Sequence, residues 1–231
     1  MADIAAHYEM WFHIDGSYGA FAALDPSVAD SFKGVERADS ITLDPHKWLN
    51  IPFEAGCLLT HDWKILSEAF SILPPYLEMG HSEDHHDHWN HGFELTRNDR
   101  ALKVWMALRQ YGVDAFRQMI CSHIKLAKTI AHWIEAAEDF DLASEPSLSV
   151  CCFRYTPVTG HADNERENYL NTLNSRIEEA LIADGGALMT GTVLRGKRVF
   201  RACIVNHKAT WHGIEETLLR IRKIGKNLEK N

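Results

Sequence analysis

Three short apolar runs limit what the first third of this chain can become. "WFHID" stops at Gly16, "SITLD" stops at Pro45, and "AGCLLTH" follows shortly after. Each is too short for a helix and is bounded by residues that end regular structure. Runs of this kind predict strands covered on both faces, as in a parallel or mixed sheet under helices. The chain therefore reads as α/β in this part.

The rest follows from period and punctuation. "ADIAAHYE" reads as the end of a helix, and a second helix is predicted over 62–70, with Asp62 near its start. Residues 72–94 carry no period and contain the adjacent prolines Pro74 and Pro75. Such a stretch inside a compact domain predicts a lid or a loop, and a moving lid is the expectation here. Two helices follow, divided at Gly112. The second puts Phe116, Ile120, Ile124, Ala127 and Ala131 on one face. Trp105 and Trp133 read as core residues. The last third reads as strand, helix, two strands turning at Arg195–Gly196–Lys197, and a closing helix with Trp211, Ile214, Leu218, Ile221 and Leu228 on one side. That β-α-β-β-α order is a small α+β unit. The expected division is residues 1–111 and 112–231.

Composition narrows the function classes. The chain has 231 residues, enough to bury a sizeable core without a staple. A net charge of −8 and a pI near 5.9 argue against nucleic acid or an anionic membrane as main partners. The five cysteines have no metal-ligand spacing, which fits reduced thiols. No apolar run reaches the ~18 residues of a membrane span, and the N-terminus lacks the pattern of a secretion signal. The expected location is cytoplasmic.

The chemistry centres on Asp-Pro-His-Lys-Trp, residues 44–48. A lysine at a strand end is commonly just solvated, and a lone aspartate there is commonly a turn residue. A lysine amine can also form a Schiff base with pyridoxal phosphate, whose pyridine nitrogen then needs an acidic partner. Asp15 ends the preceding strand. Strands of one sheet running the same way place their C-terminal ends, and so Asp15 and Lys47, at one edge, where ligands bind in α/β sheets.

"HIDGSYGAF" followed by "ADSITLDPHKWL" resembles the pyridoxal-phosphate-dependent group II amino acid decarboxylases. The resemblance continues through "EAGCLLT", "RALKVWMALRQYG" and "FRACIVNH". It implies the C-terminal part of a fold type I large domain (a mostly parallel sheet with helices), including the loop 72–94, followed by a small α+β domain. It implies that Lys47 carries the cofactor, that Asp15 pairs with the pyridinium nitrogen, and that His46 contacts the phosphate or its surroundings. Ser17 stands where the family usually has alanine against the ring. His88 is the nearest equivalent of a loop tyrosine that acts as a proton donor. The implied reaction converts an L-amino acid, aromatic by preference, to its amine and carbon dioxide, in a homodimer. The family's long N-terminal half, which carries the ring-stacking histidine and the phosphate-binding residues, has no counterpart in these residues, so the chain alone is expected to be inactive.

Two other readings remain open at this level. One is a non-catalytic remnant or subunit of such an enzyme. The other is a metal-binding module built on His81, Asp84, His85, His86, Asp87, His88 and His91, although a solvated lid is the plainer reading. Arg201, Arg97 and Arg100 are secondary candidates for contact with a substrate or a partner subunit.

Overall fold

The computed structural model describes residues 1–70, 88–158 and 163–230. The chain divides into two compact units. The first comprises residues 1–23 and 29–113; the second comprises 24–28 and 114–231.

In the first unit, helix α1 (Ala2–His7) leads into strand β1 (His13–Asp15). Three 3-10 turns follow before β2 (Ser40–Leu43), β3 (Cys57–Thr60) and helix α2 (Trp63–Phe70). The sheet order is β1-β2-β3. β1 and β2 are parallel, pairing His13 with Ser40 and Asp15 with Thr42. β3 returns antiparallel, with Leu43 opposite Cys57. The register is fixed on the N-terminal side by Asp39, whose carboxylate accepts from the Phe12 N–H at 2.7 Å, and by Ser40, which accepts from the Trp11 indole at 2.9 Å. Asp62 caps α2 by accepting from the Lys64 N–H at 2.9 Å.

The expectation that all three strands are covered on both faces is corrected here. Leu58 and Leu59, which point to opposite faces of β3, remain 38% and 50% exposed. The sheet is mixed, with one parallel and one antiparallel pairing.

Helix α3 (Arg100–Glu135) is two helices in sequence, broken at Gly112 with φ 75° and ψ 159°. Only glycine takes a positive φ without a steric cost from Cβ, so the break falls at the residue that marks it in the sequence. The part after Gly112 buries Phe116, Ile120, Ile124, Ala127 and Ala131 as its period requires. The part before does not: Trp105, expected in the core, is 59% exposed.

The second unit adds β4 (Phe140–Ser147), β5 (Val150–Tyr155), α4 (Asp163–Asp184), β6 (Thr190–Leu194), β7 (Lys197–Cys203) and α5 (Trp211–Leu228). Its antiparallel sheet has the order β4-β5-β7-β6. The β-α-β-β-α reading omits β4, so the observed order is β-β-α-β-β-α. β4 has no clean alternation because its pairing with β5 shifts register twice, between Leu142 and Ser144 and again before Ser147. The β6–β7 hairpin turns at Arg195 and Gly196, both at positive φ (50° and 79°), the geometry that two-residue hairpins favour. One face of the sheet carries Cys151, Phe153, Tyr155, Phe200 and Ala202. It packs against Ile130 and Ile134 of α3, Leu173, Ile177 and Leu181 of α4, and Leu218 and Ile221 of α5. Buried Asn174 ties α4 to the end of β5. Its amide accepts from the Tyr155 N–H at 2.9 Å and donates to the carbonyls of Tyr155 and Leu170 at 2.9 and 2.8 Å.

Candidate active site

Because β1 and β2 are parallel, their C-terminal ends meet at one edge, and the segments leaving them run side by side. The chain leaves β1 through Gly16, which lies so close to β2 that a Cβ there would sit 2.8 Å from the Thr42 carbonyl oxygen and 2.6 Å from the Ala20 methyl. It leaves β2 through a turn in which the Lys47 N–H donates to the Asp44 carbonyl at 2.9 Å. Two contacts clip the segments together. The Asp44 N–H donates to the Ser17 carbonyl at 3.1 Å. The rings of Tyr18 and fully buried Trp48 stack with centroids 5.0 Å apart and planes 7° from parallel. Residues 17 and 47 are thereby held face to face, and Lys47 Nζ donates to Ser17 Oγ at 3.2 Å.

Asp15 sits at the base of this arrangement. Its Oδ1 accepts from the Ser17 N–H at 3.1 Å and from the Thr42 hydroxyl at 3.3 Å. Hydrogen bonds from Ser17, hydroxyl first and backbone second, hold its carboxyl below the usual carboxylate range, with Thr42 and the Lys47 charge adding to the effect. Lys47 Nζ also pairs with Asp44 Oδ2 at 2.7 Å. The Lys47 side chain stays 42% exposed, so the amine is held yet reachable.

Of the expected site residues, the structure brings Asp15, Ser17 and Lys47 together. His46 lies in the same turn, with its Nδ1 3.1 Å from the Ala55 N–H and its Nε2 4.0 Å from Asp44 Oδ2. His88, itself exposed, begins a half-buried 3-10 turn, His88–His91, that packs on α2 through an edge contact of Trp63 with His91. Among the described residues no hydrogen bond or ion pair joins His88 to the cluster. His81, Asp84, His85, His86 and Asp87, like residues 72–87 of the expected lid over 72–94, lie outside the described residues. Among the described residues no group of three or more His, Cys, Asp or Glu side chains is arranged to hold a metal. Arg100 is engaged by Glu54 and Glu94, and Arg201 is exposed on β7. Sequence reasoning missed Thr42, Asp44 and Tyr18. Thr42 had a signal in strand pairing, since it lies opposite Asp15. Asp44 had one in the i,i+3 spacing to Lys47.

A reachable primary amine, an ionised carboxylate and a bridging hydroxyl, at the C-terminal edge of two parallel strands, equip a lysine-dependent enzyme that takes a carbonyl compound. Pyridoxal phosphate presents an aldehyde and a basic ring nitrogen, and this donor set fits both: Lys47 for the aldehyde, Asp15 for the nitrogen.

Comparison with known proteins agrees. Residues 1–156 match the pyridoxal-dependent decarboxylase conserved domain. The chain is 33% identical over 230 residues to the aromatic-L-amino-acid decarboxylase of Bacillus atrophaeus, covering 99% of this chain and 47% of that protein. It is 31% identical to tyrosine decarboxylase 3 of Petroselinum crispum, covering 94% and 43%. Among solved structures, Oryza sativa TDC with PLP and tryptamine superposes with a TM-score of 0.89 at 28% identity, covering 98% of this chain and 46% of that one. Catharanthus roseus tryptophan decarboxylase in complex with L-tryptophan gives 0.84 at 26%, covering 98% and 45%. The chain belongs to the pyridoxal-dependent decarboxylase family, whose cofactor is pyridoxal phosphate. It spans about half the length of the curated relatives it matches.

Proposed function

We propose that this chain is the lysine-bearing half of a decarboxylase that converts an aromatic L-amino acid to its amine and carbon dioxide. The observation that carries this reading is the placement of Lys47 and Asp15 at adjacent ends of parallel strands, bridged by Ser17. The named substrates of the similar proteins, aromatic amino acids in each case quoted above, support the substrate class.

Bound pyridoxal phosphate supplies a conjugated ring that takes up the electron pair left when the carboxylate departs. Lys47 provides the primary amine that holds the cofactor's carbonyl carbon. Asp15, kept ionised by Ser17 and Thr42, holds a proton on the ring nitrogen. Ser17 lies beside the amine at 3.2 Å. His88 is the proposed donor of the proton that replaces the carboxylate. His46 is proposed to lie near the phosphate, and the remaining phosphate contacts come from outside these residues. The arrangement as a whole is proposed to be the C-terminal part of a fold type I enzyme that works as a homodimer, with residues 1–231 inactive alone.

The test uses a chimera in which residues 1–231 replace the matching part of the Bacillus atrophaeus decarboxylase. Borohydride reduction of the cofactor-loaded chimera, followed by peptide mapping, places the pyridoxyl group on Lys47. A label on any other lysine refutes the assignment. Carbon dioxide release from a panel of amino acids then checks the substrate class, and the same assay on residues 1–231 alone gives no turnover.

A further inference from the structure

Lys47 and Asp15 do not touch directly. What stands between them is Ser17. Ser17 reaches Asp15 with its backbone N–H, 3.1 Å from Oδ1, and with its hydroxyl. The same hydroxyl oxygen takes the hydrogen bond from Lys47 Nζ at 3.2 Å. Its place is rigidly set: the Ser17 carbonyl accepts from the Asp44 N–H, and the next residue, Tyr18, is stacked on Trp48. The charged groups around the amine are Asp44, which grips it at 2.7 Å, and His46, whose Nε2 lies 4.0 Å from the same carboxylate.

We propose that Ser17 is a positioning residue that couples Asp15 to Lys47: its oxygen accepts from Nζ, its backbone N–H donates to Asp15 Oδ1, and the hydroxyl proton that the bond from Nζ leaves over is given to the same carboxylate. The coupling needs a hydroxyl with one acceptor and one donor function, which alanine lacks. In this chain the reactivity of the amine therefore follows the charge of Asp15. The inference rests on the assignment of Lys47 and Asp15 to the cofactor site, and it concerns the protein before the cofactor arrives.

The test is competitive labelling of residues 1–231 with trace acetic anhydride at one fixed pH. Acetylation of the Lys47 peptide is read by mass spectrometry against the exposed Lys33 and Lys208 of the same molecules. Ser17→Ala removes a hydrogen bond to the charged amine and is expected to raise Lys47 labelling by about 3- to 10-fold. Asp15→Asn is expected to raise it by a similar factor when Ser17 is present, and by less than about 2-fold in the Ser17→Ala background. Ser17→Thr, which keeps the hydroxyl, restores the original labelling. An equal effect of Asp15→Asn with and without Ser17, or unchanged or reduced labelling in Ser17→Ala, overturns the proposal. If Ser17→Ala fails to fold, Ser17→Cys decides: with a poor acceptor and donor in place of the hydroxyl, Lys47 labelling rises if the bridge is real and stays at the parent level if it is not. Borohydride mapping fails independently of this result, so loss of the cofactor assignment and loss of the coupling are told apart.

Discussion

Gly16→Ala tests how the two strand ends are brought together. The new methyl carbon would lie 2.6 Å from the Ala20 Cβ and 2.8 Å from the Thr42 carbonyl oxygen, with Ile41 Cγ2 at 3.3 Å. Favourable carbon–carbon separations begin near ~3.5 Å, so the overlap with Ala20 approaches ~1 Å. Thr42 is a paired strand residue and cannot retreat. The segment 16–20 must therefore shift, at a cost of about 1–3 kcal/mol for an overpacked site. Ala20→Gly alone costs about 1 kcal/mol in backbone entropy and lost contact. In the double variant one of the two worst overlaps is gone, and the segment can settle away from Thr42. The double variant is therefore less destabilised than the sum of the single ones by about 1–2 kcal/mol. Urea unfolding followed by tryptophan fluorescence measures all four proteins. Additivity within ~0.5 kcal/mol would mean that the close approach at Gly16 is not what glycine provides there. Lys47 labelling by acetic anhydride should change in Gly16→Ala and recover in the double variant, because the same shift carries Ser17 away from the amine.

Other outcomes follow from single contacts. In the family-length chimera, Asp15→Asn lowers kcat by roughly 10²- to 10³-fold while cofactor retention on dialysis changes less, and unchanged turnover would remove Asp15 from its role. Asn174→Leu leaves the buried N–H and C=O of Tyr155 without partners and lowers stability by about 2–5 kcal/mol, read as a fall in the urea midpoint at constant m. Burial holds the His123 imidazole below its ordinary value of 6.5. A depressed folded value gives stability that is full above the ordinary 6.5 and is lost as pH falls below it, so Tm drops on acidification below that value, and His123→Gln flattens the drop. The Arg154 guanidinium holds the Glu167 carboxyl below its ordinary 4.5. That contribution is lost as pH falls further, and Glu167→Gln shows a shallower acid limb in a pH titration of Tm.

What could be read from the residues alone depended on how local the cause was. Gly112 marks its own helix break because only its backbone tolerates the geometry. The face from Phe116 to Ala131 was legible because burial there follows helical period. β4 was not, because its side chains are set by pairing with β5 through two register shifts, which no period records. Residues 24–28 join the second unit, yet the bond that buried Asp25 accepts from the Ser27 N–H lies within its own turn, so nothing local in the sequence records that placement. Trp105 misled because a large aromatic residue at helical spacing reads as core, whereas it is 59% exposed, with the Arg109 guanidinium 5.9 Å from its ring centroid. In the site, the motif gave Lys47 and strand order gave Asp15. Thr42, Asp44 and the Tyr18–Trp48 stack came only with the fold, since each acts across segments that are distant in sequence.

The three-stranded sheet of the first unit ends on β1 at one side and β3 at the other. Each presents an outward row of backbone donors and acceptors, flanked by exposed Trp11, Leu58 and Leu59. For a cell making this polypeptide, that is a quality-control problem before it is an enzymological one. Strand edges beside apolar side chains are what chaperones bind and what inclusion bodies grow from. Covering those two edges is expected to raise the soluble yield of this chain. Substitutions there, such as a lysine in place of Leu59, are expected to change soluble yield well before they change anything at Lys47.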